Sequence, residues 1–138
     1  MRIKRLVIIS LLLLSHTTFA AESAEECYRL PSHMEWRECL DDLADKTNAL
    51  VAGAQDLVRK RISASDEEES FKSKTRALFE FSIQEFEKYK SVQCTYESSA
   101  ATTGNGGEDM YLDCEISLNR AYLKRLEEQA TWFEPPHA

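Results

Sequence analysis

The sequence predicts an all-α fold: an antiparallel helical hairpin with a third helix packed against it, braced by two disulfides. Three observations lead there. Apolar residues recur at alternating steps of four and three along three long segments, the spacing that puts them on one face of a helix. The break between the first two segments, Ser63-Ala64-Ser65, is so short that the helices it joins must run antiparallel. The cysteines are even in number and all lie beyond an N-terminal export signal.

The export signal reads in the usual order. Arg2, Lys4 and Arg5 supply positive charge, Leu6 to Leu14 is an apolar run, and Thr18-Phe19-Ala20 offers small residues for cleavage after Ala20. Residues 1–20 are therefore expected to be a signal peptide and 21–138 a single helical domain, periplasmic or secreted. Cys27 follows Glu25 and Glu26 instead of the small residues of a lipoprotein signal, so no lipid anchor and no membrane insertion after cleavage are expected. Losing Arg2, Lys4 and Arg5 leaves 14 basic against 24 acidic residues, a net charge of −10. Such a surface repels nucleic acid and anionic lipid, and attracts a cationic partner.

Four cysteines, Cys27, Cys39, Cys94 and Cys114, allow three pairings. Local pairing, Cys27–Cys39 and Cys94–Cys114, is preferred; each loop would contribute about 3 kcal/mol by restricting the unfolded chain. The absence of any CxxC pair speaks against zinc, and no cofactor is expected.

The first helix is expected to start at the capping-box spacing Ser32-His33-Met34-Glu35 and to close on Arg59-Lys60-Arg61. Its inward stripe reads Trp36, Leu40, Leu43, Thr47, Leu50, Ala54 and Leu57. A second capping box, Ser65 with Glu68, opens the second helix, with the acids Asp66 to Glu69 in its first turn. Its stripe reads Phe71, Thr75, Phe79, Ser82, Phe86, Tyr89, Gln93 and Tyr96, broadened by Leu78 and Ile83. Ser98 to Gly107 forms the longest loop, after which Glu108 and Asp109 open a third helix with Tyr111, Leu118, Tyr122 and Leu126 inward. Pro135 and Pro136 end the structure.

Catalytic chemistry is not indicated. His33 lies in the first capping box and His137 in the tail, neither beside a recognisable nucleophile, and the cysteines are committed to disulfides. The glycines at 104, 106 and 107 lack the GKS/T ending of a P-loop and follow a helix. A binding protein, not an enzyme, is the expectation.

The cysteines and their surroundings resemble the lysozyme-inhibitor LprI-like family of bacterial envelope proteins, over roughly Glu26 to Leu126. Cys27 and Cys39 are followed by Asp45-Lys46-Thr47-Asn48; Phe86, Tyr89-Lys90 and Cys94 follow, then Gly106-Gly107, Cys114 and Leu118. Tryptophan is more usual at the Phe86 position. The chain departs from the family after the last cysteine, where Asn119 and Tyr122 stand in place of a threonine and an arginine. The resemblance implies binding and inhibition of a lysozyme. A self-sufficient inhibitor of that kind is expected to be monomeric. The contact is expected at the exit of the Cys94–Cys114 loop, on Asn105, Glu108, Asp109 and Tyr111, which combine acids with an aromatic ring. The alternative is a structural or accessory envelope protein that binds a partner from its own cell, its helical stripes continuing into that partner.

Overall fold

A computed structural model describes residues 22–101 and 106–134. The proposed signal peptide, Gly104, Asn105 and the two C-terminal prolines lie outside the described residues. All regular structure among the described residues is helical, in four elements: α1 (Ala24–Cys27), α2 (His33–Ala64), α3 (Glu69–Ser98) and α4 (Gly106–Thr131). The two disulfides join Cys27 to Cys39 and Cys94 to Cys114. None of the helices is long and apolar enough to cross a membrane.

The short α1 is an addition to the three expected helices. Ser23 caps it, its hydroxyl accepting from the Glu26 amide, and Ala24 and Cys27 are buried beside α2. The cap of α2 is as expected at Ser32, whose hydroxyl accepts from the Glu35 amide at 3.3 Å. Glu35 returns the contact to the Ser32 hydroxyl, 2.7 Å away. The second capping box does not form. Ser65 instead ends α2, its hydroxyl donating back to the Ile62 carbonyl at 2.9 Å. Of the acids 66–69 only Glu69 lies in the first turn of α3.

α4 lies between the other two long helices, packed against both, while α2 and α3 touch each other least. Pairs across the seams give the directions. His33 and Arg37 meet Asp109 at one end and Arg61 meets Glu134 at the other, so α2 and α4 are parallel. Asn48 meets Lys90 and Arg59 meets Glu80, so α3 runs antiparallel to α2 as the short turn requires.

Two apolar clusters fill the α2–α4 seam. Near the disulfides, Ala24, Cys27, Leu40, Leu43 and Ala44 pack on Leu112 and Ile116. Towards the far end, Val51, Val58 and Ile62 pack on Phe79, Leu126 and Ala130. Beyond Thr47 the inward stripe of α2 is Val51, Gln55, Val58 and Ile62, while the expected Leu50 and Leu57 are exposed. A nearly straight helix carries the buried face forward by four residues more often than by three, so a strict heptad reading slips by one position.

The correction to α3 is larger. Phe79, Lys90 and Cys94 are buried and Phe86 and Ile83 lie half-inward, but Phe71, Leu78, Phe81, Tyr89, Val92 and Tyr96 are exposed. Part of the stripe assigned to the core points outward.

Candidate functional site

Between the two apolar clusters the three long helices meet at a polar junction. Asn119 of α4 is completely buried. Its amide donates to the Asn48 side-chain carbonyl at 2.8 Å and to the Thr47 hydroxyl at 3.2 Å, both on α2. From α3, the Lys90 ammonium donates to the Asn119 carbonyl oxygen at 3.0 Å and the Asn48 carbonyl oxygen at 3.3 Å. Glu87 Oε2, 2.9 Å from Lys90 Nζ, supplies its counter-charge, with Glu115 further off at 3.9 Å. The Phe86 ring lies under the ammonium at 5.5 Å and stacks on Tyr122 with centroids 3.8 Å apart. A buried ammonium is tolerated only when its donors are used and its charge is met, and both conditions hold here. Asn48, Phe86 and Lys90 thus converge at the junction, with Cys94 and Cys114 bonded nearby. Asn119 is the hub.

The second arrangement lies at the disulfide end. Asp109, buried in the first turn of α4, accepts from Arg37 Nε at 2.6 Å and sits 2.7 Å from His33 Nε2. Glu108 also pairs with Arg37 but keeps its side chain largely exposed. Burial pushes the Asp109 carboxyl up, but the hydrogen bonds from Arg37 and His33 outweigh it and hold it below the usual aspartate value. Tyr28 joins this end: burial, with Asp113 and Asp109 nearby, pushes its hydroxyl pKa up to about 12.

Of the residues expected to contact a partner, Asp109 is thus an anchor between α4 and α2 rather than an outward group. Tyr111 is half-buried, Glu108 faces solvent, and Asn105 lies outside the described residues. The loop exit is tighter than expected, because α4 already begins at Gly106. A Cβ at Gly107 would stand 3.2 Å from the Ser98 carbonyl oxygen, so glycine there lets the start of α4 close on the end of α3.

The sequence reading missed the outer face of α2. Glu38, Asp41, Asp42 and Asp45 are all exposed, and no ion pair among the described residues uses them. With Met34, Arg37 and His33 on one side and Glu108 on the other, Glu38 and Asp42 border a shallow open hollow. The signal was present in the sequence as acids at steps of three and four through α2.

Comparison with known proteins adds no relative: no family model matches the chain, and searches of curated proteins and of solved structures find no match.

Proposed function

We propose that the protein is an exported helical binding protein whose acidic α2 face, continued by Glu108 across the hollow, receives a basic protein surface, and that the partner is a lysozyme. One observation supports the reading above the rest: four exposed carboxylates that no ion pair among the described residues uses, Glu38, Asp41, Asp42 and Asp45, lie on consecutive turns of a helix braced by a disulfide. Like charges at such spacing cost helix stability by a few tenths of a kcal/mol per pair (about 0.2–0.5) and are compensated when a cationic surface covers them. The Cys27–Cys39 disulfide and the anchor of His33 and Arg37 on Asp109 fix the N-terminal half of α2, so little ordering is left to oppose binding. The family resemblance contributes lysozyme as the partner; charge alone contributes only that the partner is basic.

The test is a lysozyme cell-wall lysis assay at physiological salt, titrated with the purified oxidised protein, and repeated with an unrelated basic protein in excess. Saturable inhibition that survives the competitor is expected. Inhibition erased by salt and competitor, or none, would remove lysozyme and turn the reading to an accessory envelope protein with a partner from its own cell. That second reading draws on the exposed apolar stripe of α3, because a stripe left outside the core is free to be covered by another chain.

A further inference from the structure

The outer face of α3 is an apolar surface that the fold leaves uncovered. Phe71, Leu78, Phe81, Tyr89, Val92 and Tyr96 recur at helical spacing on one side of the helix, roughly a third of a turn away from the buried Phe79, Lys90 and Cys94. They remain 46%, 60%, 60%, 53%, 65% and 70% exposed. Trp132, itself exposed, borders the same hollow as Phe71 and extends the patch at its N-terminal end.

We propose that this face is an interface between two copies of the chain, formed by antiparallel pairing of α3 with α3 of a second copy about a two-fold axis that crosses the outer face at the height of positions 86–87. Charge identifies the occupant. In a chain with 24 acidic residues, this side of α3 carries one acid, Glu85, between two lysines, Lys74 and Lys88. A face built for a basic partner would concentrate carboxylates, as α2 does. One depleted of them is a face on which two acidic molecules can approach each other.

The order of those charges selects the direction. In parallel pairing, Glu85 would lie on Glu85 of the second copy and Lys88 on its Lys88, a repulsion at both levels. In antiparallel pairing about an axis at 86–87, Glu85 of each copy meets Lys88 of the other. The same register puts Phe81 against Val92 and Leu78 against Thr95, beside Tyr96, each contact occurring twice. It also opposes the two helix dipoles.

The area is sufficient. An aromatic side chain offers about 150–250 Å² when fully covered, so the five residues inside the paired span (all but Phe71, which lies beyond the end of the second α3) contribute on the order of 600 Å² per copy. The pair would bury about 1,200 Å², the lower edge of stable interfaces, before any flanking contact is added. The expectation of a monomer gives way on this face to a reversible dimer, and the acidic α2 faces stay free on both copies.

Sedimentation equilibrium of the oxidised protein across about 1–100 µM tests the proposal, in the range where interfaces of modest size associate. A concentration-dependent dimer is expected. Phe81→Glu should reduce it to monomer with an unchanged thermal melt by circular dichroism. Glu85→Lys and Lys88→Glu should each raise the dimer Kd about 10-fold or more, since each sets like charges face to face twice. Combining the two should restore the wild-type Kd, a rescue that a folding defect cannot mimic. A monomer at all concentrations would overturn the proposal, as would a dimer that Phe81→Glu leaves intact or a double variant that stays as weak as either single one. None of these outcomes depends on lysozyme, so the pairing and the proposed function can fail separately.

Discussion

α2 and α3 are of nearly equal length and carry apolar stripes of similar strength, yet the fold uses them in opposite ways. On α2 the buried face is aliphatic, from Leu40 to Ile62, and the outer face is acidic. On α3 only Phe79 and Cys94 are buried apolar side chains, joined inside by a lysine, while aromatic and aliphatic residues stand outside. α2 is held by dispersion and hydrophobic burial against α4. α3 adds to Phe79 in the far apolar cluster a few specific attachments: the Cys94–Cys114 disulfide, the Lys90–Asn119 junction, the Arg59–Glu80 pair and the Phe86–Tyr122 stack. A helix fixed largely by polar, covalent and aromatic contacts on one side can thus leave an apolar stripe exposed on the other.

Breaking those attachments should therefore detach α3 before it disturbs the α2–α4 seam. Replacing Cys94 and Cys114 together by alanine should have the largest effect, about 3–4 kcal/mol in chemical denaturation, because the bridge closes a long loop. Loss of α3 contacts ahead of the rest would appear as early hydrogen exchange confined to 69–98. Asn119→Leu should follow, at about 2–3 kcal/mol, since it leaves Thr47, Asn48 and the Lys90 ammonium short of partners inside the bundle. A thermal melt compared with that of a surface variant measures it.

Asp109→Asn comes next, about 1–2 kcal/mol at neutral pH, and its effect depends on acidity. The carboxyl is held below its ordinary value of 3.8, so its stabilisation is present above that value and is lost as pH falls through the lower folded value. Melts at pH 7 and at progressively lower pH should show the variant and the wild type converging in the acid range. The smallest effect sharpens the contrast. Tyr89→Ser, on the outer face, should change monomer stability by no more than about 0.5 kcal/mol, whereas the inward Phe86→Ala should cost about 3 kcal/mol.

Much of this architecture was legible in the sequence, and the failures have a common cause. The helices and their antiparallel first turn follow from periodicity; the disulfide pairing did not, since three pairings stood open, and the preferred local one is the one the fold forms. The Ser32 cap follows from side-chain chemistry at a fixed spacing. The face of α3 was misread because periodicity identifies an apolar stripe without saying whether it is buried in the same chain. The series 71, 89 and 96 on the outside and 75, 79, 86 and 93 towards the inside differ by little more than one residue per turn. The buried polar junction gave the opposite signal to burial: a lysine and an asparagine read as surface. Asp109 was taken for a contact residue because it stands with Glu108 and Tyr111 at the exit of the longest, disulfide-braced loop; Arg37 and His33, distant in sequence, draw it inward.

The two proposals together make a division of labour: the acidic face of α2 for a basic partner, the apolar face of α3 for a second copy. Isothermal titration calorimetry with a basic lysozyme tests it most directly, comparing the oxidised wild type with Asp41→Lys/Asp42→Lys on α2 and with Phe81→Glu on α3. The account predicts that the α2 variant loses most of its affinity and that Phe81→Glu keeps it. Affinity lost in Phe81→Glu and retained in the α2 variant would contradict the account, making the stripe of α3 the partner's seat.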